Sequence, residues 1–151
     1  MTTLIIRFLN LIMAALIAGV LFGIWIGYNP KNLSAQTYVE QQQAVIKALN
    51  TLIPLLGLIT IILTVASAFM QKQNQIVFVT LLVAAGFLII SGLVTKFGNQ
   101  SINSIVMTWN KTDVPGNWTE LRDKWWSFHI VRTLTAFIAF CLIMWSGMRK
   151  D

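Results

Sequence analysis

The chain has 151 residues, of which 56% are hydrophobic and 11% charged, with a formal net charge of +6 and a single cysteine. Soluble domains carry about 25% charged residues, so there is too little polar surface here to cover a soluble core. Disorder and a disulfide scaffold are excluded by the same figures. The net positive charge invites a nucleic-acid partner, but the basic residues are dispersed and form no stripe, so no nucleic acid is expected.

The spacing of the charges sets the architecture. The long charge-free runs are 8–30, 48–71, 73–95 and 133–148. A helix needs about 20 apolar residues to span the hydrocarbon core. The first three runs meet that outright. The fourth meets it only from near Ser127, and then contains His129 and Arg132. The chain therefore reads as all-α, an integral membrane four-helix bundle in one four-span domain covering 1–151. Its spans are expected at about 4–28, 48–70, 76–97 and 126–148, with one longer loop between the third and fourth helices.

The first helix runs roughly 4–28. Its apolar run is too long for a signal peptide and no clear cleavage site follows; Trp25 and Tyr28 close it at an interface. Ser34 is the expected N-cap of the second helix, which begins outside the membrane with Tyr38 to Gln43. That helix turns apolar after Asn50, kinks at Pro54 and ends near Met70. The short turn Gln71–Gln75 makes helices two and three an antiparallel hairpin. The third helix covers about Ile76 to Thr95, with a polar extension through Asn103. The segment 108–124 is the one long loop, and the fourth helix starts at Glu120 or Arg122 and ends at Met148. Cys141, mid-helix, reads as a small apolar residue. Arg7, Lys72, Arg149 and Lys150 lie on short segments of one side, which favours both termini in the cytoplasm of a cell or inner membrane.

Four spans bring the end of helix one, the start of two, the end of three and the start of four to the same side. Five of the six tryptophans belong there (Trp25, Trp109, Trp118, Trp125 and Trp126). Helical spacing sorts the polar residues of that side into stripes. Glu40, Gln43, Lys47 and Asn50 form one, Thr95, Asn99 and Asn103 a second, and Trp125, His129 and Arg132 a third. Ala136 and Ala139 continue the third stripe and let a neighbouring helix approach closely. Such stripes can converge on a cavity.

Each stripe also has a plain reading. Arg132 lies about 12 Å along the helix from Lys124 and can snorkel back to the headgroups. His129 can be a satisfied interface residue, Glu40 and Lys47 a solvated face, Asn99 and Asn103 helix-end residues, and the tryptophans a belt. Against this, an ionisable residue facing a membrane bundle is a functional-site hypothesis by default, and two share one face here. One histidine, one nearby acid (Glu40) and no thiolate cluster are too few for a metal site, and bis-histidine haem lacks its second ligand.

The motifs Tyr38-x-Glu40-Gln-Gln before a Pro-containing span, Asn99-x-x-x-Asn103 followed by Trp109, and Trp118-x-x-x-Arg122-x-x-Trp125-x-x-x-His129-x-x-Arg132 occur together. Over about 36–140 the chain resembles the anthrone-oxygenase-like family, small four-helix membrane proteins mostly of unknown function. Ile102 stands where relatives often have a proline, so the loop after the third span departs from the pattern. The resemblance implies a cofactor-independent oxygenase that converts an anthrone to an anthraquinone. It carries over Asn103, Trp118, Arg122, Trp125, His129 and Arg132.

An anthrone has an acidic C–H, and its enolate reacts with dioxygen without a metal. The chemistry needs a general base and a group that stabilises the oxyanion. His129 fits the first role, and Arg132 and Asn103 fit the second. Glu40, Lys47, Asn50, Asn99, Trp118, Arg122 and Trp125 are the expected ligand-binding residues, the tryptophans stacking on a flat ring. The expected partners are membrane lipid and a small lipophilic ligand, with no cofactor and with a homo-oligomer open. The alternatives are a non-enzymatic scaffold or accessory subunit, or a small-molecule carrier. An enclosed pocket reached by His129, Arg132 and Asn103 favours an enzyme or binder; side chains fanned into the headgroups favour a scaffold.

Overall fold

A computed structural model describes residues 1–149; Lys150 and Asp151 lie outside the described residues, and with them the last of the basic residues counted above. The described chain is helical, without strands. Its helices are α1 (Thr2–Gly27), α2 (Ala35–Leu49), α3 (Leu52–Met70), α4 (Gln75–Leu93), α5 (Gln100–Val106) and α6 (Trp118–Met148). A 3-10 turn at Pro30–Asn32 precedes α2, and a π-helical segment, Val94–Asn99, joins α4 to α5. Four stretches are long and apolar enough to cross a membrane: Thr2–Asn32, Leu52–Met70, Gln75–Val106 and Trp118–Met148.

The four long helices form a ring in which α1 packs on α3 and α6, and α4 packs on the same two. Ala14, Ala68, Ala84 and Ala139 are buried in the core beside Val77, Leu81, Leu88 and Ile143. Small residues there let the backbones approach where no water-driven force holds the helices together. Ala136 is buried too, with Ile17, Leu21 and Ile53. The third cluster, around Ile46, Ile102, Val106, Trp125 and Trp126, lies at the end where α2 and α5 join.

Three local features differ from the expected elements. The second helix is broken rather than kinked: it stops at Leu49 and restarts at Leu52. Pro54 explains this, because its ring has no N–H and collides with the carbonyl four residues earlier in a continuous helix. That carbonyl belongs to Asn50, and it accepts a hydrogen bond from Gln100 Nε2 at 2.8 Å instead. The polar extension of the third helix passes through the π segment, which buries Thr95, Gly98 and Asn99. Gly98 is required there: a Cβ at this position would lie 2.7 Å from the Phe128 ring of α6. The fourth helix begins at Trp118, so the long loop is shorter than expected. At the start of α2 the expected cap is present, Ser34 Oγ accepting from the Thr37 backbone N–H at 3.3 Å.

Candidate functional site

Arg132 sits on α6, one turn below His129, where residues three apart share a face. It turns into the bundle rather than towards the headgroups and is 8% exposed. Its Nε donates to His129 Nδ1 at 3.0 Å, and the guanidinium carbon lies 5.7 Å from the Trp125 ring centre. No carboxylate pairs with it among the described residues, since Glu40 pairs with Lys111 and Asp123 with Arg122. The terminal guanidinium nitrogens donate to no protein group among the described residues, so most of the five N–H donors of this side chain are unused.

His129 is fully buried. Its ring is sandwiched between those of Trp125 (5.3 Å between centres, 8° between planes) and Trp126 (5.5 Å, 29°) on the same helix. With Nδ1 accepting from Arg132, the ring proton sits on Nε2. That atom faces the Leu21 backbone of α1 but makes no hydrogen bond.

Asn103 of α5 ties the elements together. Its Oδ1 accepts from Trp125 Nε1 at 2.8 Å and from Gln42 Nε2 at 3.4 Å, and its Nδ2 donates to Asn50 Oδ1 at 2.8 Å. One N–H of the amide remains free of these bonds. Gln42 in turn accepts from the Tyr28 hydroxyl at 3.0 Å. Behind this network Asn99 donates from Nδ2 to the Trp125 carbonyl at 3.0 Å, and its Oδ1 is buried without a partner. Ser91 Oγ donates to the Arg132 carbonyl at 2.9 Å and fixes α4 against α6 at the same level.

These groups surround a cavity of about 30 Å³ whose polar wall includes Gln42, Asn50, Thr95, Gln100, Asn103 and Arg132, with Trp125 beside them. A water needs about 10–15 Å³ of such space, so the cavity has room for a few small atoms. His129 and Asn99 stand behind this wall, His129 being one group removed through Arg132.

The other residues singled out in the sequence lie elsewhere. Glu40 and Lys47 are exposed on the outer face of α2. Glu40 contacts Lys111 of the loop at 3.1 Å, and that hydrogen bond holds its carboxyl below the usual range. Trp118 and Arg122 form a lid at the end of the bundle, the guanidinium 4.8 Å over the Trp118 ring and that ring tilted on Tyr38 at 5.7 Å. Tyr38 is wholly buried with its hydroxyl unpartnered, and burial pushes its phenol above the usual range.

Gln42, Tyr28, Gln100 and Trp126 belong to the cluster but were not among the expected site residues. The signal for Gln42 was in the sequence. Tyr38, Val39 and Ile46 mark the buried face of α2, and Gln42 falls among them; the charges of Glu40 and Lys47 mark the opposite face. Gln100 gave no comparable signal, because its role depends on the carbonyl that Pro54 frees.

A family model described as anthrone oxygenase matches residues 42–142. The chain belongs to the anthrone-oxygenase family. The matched segment begins at Gln42 and contains Asn50, Asn99, Asn103, Trp118, Arg122, Trp125, His129 and Arg132; Glu40 falls outside it. No curated protein and no solved structure matches the chain. What this family member presents at the cavity is one guanidinium and several neutral amides, with no carboxylate. Preorganised donors of this kind stabilise negative charge on an oxygen, and do so most strongly where water is excluded.

Proposed function

We propose that the protein binds a small lipophilic aromatic ligand through an oxygen atom at the polar end of the bundle, and oxygenates it as a cofactor-free, anthrone-oxygenase-like monooxygenase. The observation that carries this reading is the buried guanidinium of Arg132, whose unpaired nitrogens line a cavity shared with Asn103. An arginine in that position costs free energy, and a bound oxygen anion offsets the cost. We further propose, from the basic residues on the short segments, that both termini face the cytoplasm.

In this reading Arg132 and the remaining N–H of Asn103 hold the ligand oxygen. His129 orients the guanidinium in the empty site. When Arg132 turns to the ligand, Nδ1 of His129 is released and takes up, relayed through a water in the polar cavity, the proton that the acidic C–H gives up. The resulting enolate gives electrons to dioxygen and bonds to it at carbon, and the peroxide anion so formed takes back the proton held by His129. The hydroperoxide then loses water and leaves a ketone, so one oxygen atom enters the product and the other leaves as water.

The test is turnover of anthrone by protein in lipid nanodiscs under 18O2, compared with empty nanodiscs. Anthraquinone formed faster than in the empty discs, with one labelled oxygen, is expected. A rate equal to that of empty discs sinks the oxygenase reading. A stoichiometric metal found by elemental analysis, with loss of turnover on chelation, sinks the cofactor-free part alone.

A further inference from the structure

The polar cavity is too small for the ligand proposed above. About 30 Å³ admits an oxygen-bearing edge but no fused ring system. A second cavity of about 220 Å³ adjoins it, and Ile53, Pro54, Thr95 and Gln100 line both. Its other walls come from α1, α3, α4 and the π segment and are mostly apolar, Leu21 and Leu88 among them, with Ser91 and the exposed Lys96 as the polar exceptions. At its rim Leu58 and Gly92 are exposed on the outer surface of the spans, where bilayer lipid would meet them. Gly57 and Gly92 contribute no side chain to its wall, and a Cβ at either meets nothing within 4 Å.

The partition between the two spaces is also the least regular part of the fold. On one side is the α2–α3 break caused by Pro54; on the other is the π segment, a form of helix found often at functional sites. Gln100 spans the two through its bond to the Asn50 carbonyl. The side chains of Ile53, Pro54, Thr95 and Gln100, rather than a continuous helical backbone, thus separate the apolar space from the guanidinium.

We propose that the 220 Å³ chamber is a second subsite, which takes the flat apolar body of the ligand sideways from the bilayer. One phenolic, enolic or ketone oxygen at the edge of that body passes between Thr95 and Gln100 to reach Arg132. The proposal rests on the reading of Arg132 as an oxygen-binding group. It adds where the rest of the molecule lies and by which face it arrives. Apolar ligands partition into lipid, so an opening within the spans meets them at their highest concentration.

The experiment is equilibrium dialysis of 14C-labelled 2-naphthol and naphthalene against protein in nanodiscs, with empty nanodiscs subtracting the lipid partition. Gly57→Leu and Gly92→Leu each add bulk at the wall or rim of the chamber from a different helix, at positions where the added Cβ meets no neighbour. The wild type is expected to bind 2-naphthol saturably and at least about tenfold more tightly than naphthalene. Either leucine variant should weaken 2-naphthol binding by tenfold or more, with its thermal unfolding unchanged. In Arg132→Gln the preference for naphthol over naphthalene should disappear. Unchanged naphthol binding in the folded leucine variants overturns the chamber while leaving Arg132 as the oxygen site. Equal binding of the two compounds to wild type identifies a cavity for lipid chains alone and overturns the proposal. No saturable binding of either compound overturns both the proposal and the reading beneath it.

Discussion

The two ends of the bundle both bury polar side chains, and they do so differently. At the end near the chain termini, Thr64 Oγ1 donates to Asn10 Oδ1 at 2.8 Å and lies as close to the Thr60 carbonyl. Ser146 bonds the Ile143 carbonyl at 2.7 Å, and Gln71 Nε2 bonds Ser67 twice at 3.0 Å. These groups are neutral, and most bond within one turn of their own helix. The charged Arg7 stays at the rim, donating to the Gly147 carbonyl at 3.0 Å. At the opposite end, side chains from α2, its break, α5 and α6 converge, and the one charged group goes deepest. Neutral polar groups in a membrane bundle hold helices together for about 0.6–1.7 kcal/mol per contact. A guanidinium with unpaired nitrogens does not serve that purpose, since its burial is a cost. The contrast separates neutral groups that are satisfied locally, or in the case of Thr64 and Asn10 join two helices, from a charged one that the fold holds in place.

Substitution of Arg132 should break this contrast most strongly. Arg132→Gln should lower anthrone turnover by about 100-fold, the effect of losing one preorganised donor to an oxyanion. Its thermal unfolding temperature should stay level or rise. A large fall in stability would make Arg132 a structural residue and erase the difference between the ends. Next in size, Gly98→Ala should destabilise by about 1–3 kcal/mol, since the added methyl drives into Phe128 and overpacking costs that much. Denaturant unfolding in mixed micelles measures it, and an unaffected variant would show that the π segment tolerates a wider spacing to α6.

The third substitution sharpens the contrast from the other end. Thr64→Val removes the hydroxyl that Asn10 accepts from, and should cost up to about 1.7 kcal/mol of stability while anthrone turnover stays within twofold. A collapse of turnover without a loss of stability would place chemistry at that end as well. The smallest effect is expected at Lys111. Its hydrogen bond favours the Glu40 carboxylate, so the folded-state pKa lies below the ordinary one. The associated stability is present at neutral pH and lost as the pH falls through that folded-state value. Lys111→Ala should move the Glu40 titration, followed by carboxyl NMR, back up towards the ordinary range. At neutral pH the unfolding temperature should fall only slightly, as is usual for an exposed pair.

Much of the fold was legible because charge is so costly in lipid that its absence outlines the spans. The charge-free runs from Arg7 to Lys31, Lys47 to Lys72, Lys72 to Lys96 and Arg132 to Arg149 fall largely on the four spans. His129, Arg132, Asn103, Asn50, Asn99 and Trp125 were found together for a related reason: helical spacing and span direction fix which end and which face a residue occupies. Glu40 and Lys47 do not join them. Spacing groups the residues of a stripe but does not say which stripe faces inward, and on α2 the apolar residues beside Gln42 decide that. The break at Asn50 and the π segment were not legible as such. Proline predicts a disturbance, but whether the chain kinks or stops depends on a partner for the freed carbonyl, and that partner is fifty residues away in Gln100. The apolar chamber follows from these irregularities and was equally out of reach; the polar cavity was expected only as a place where the stripes can converge.

The buried arginine also bears on how the chain enters a membrane. The most apolar stretch of α6 is less apolar than those of the other three spans, and an arginine near the centre of a span costs about 2.5–3.5 kcal/mol on insertion scales. Apart from His129 and Trp125 of α6 itself, the groups around Arg132 come from segments made earlier: Ser91 on α4, which bonds its carbonyl, and Asn50 at the α2–α3 break and Asn103 on α5, which share its cavity. The last helix should therefore insert inefficiently by itself and efficiently once the hairpin of α3 and α4 is already in the bilayer. A translocon assay of α6 with and without the preceding segments reads this directly, and equal insertion in both would show that Arg132 needs no such shelter. With insertion dependent on that hairpin, biogenesis runs in one order, and completion of the polar cavity is its final step.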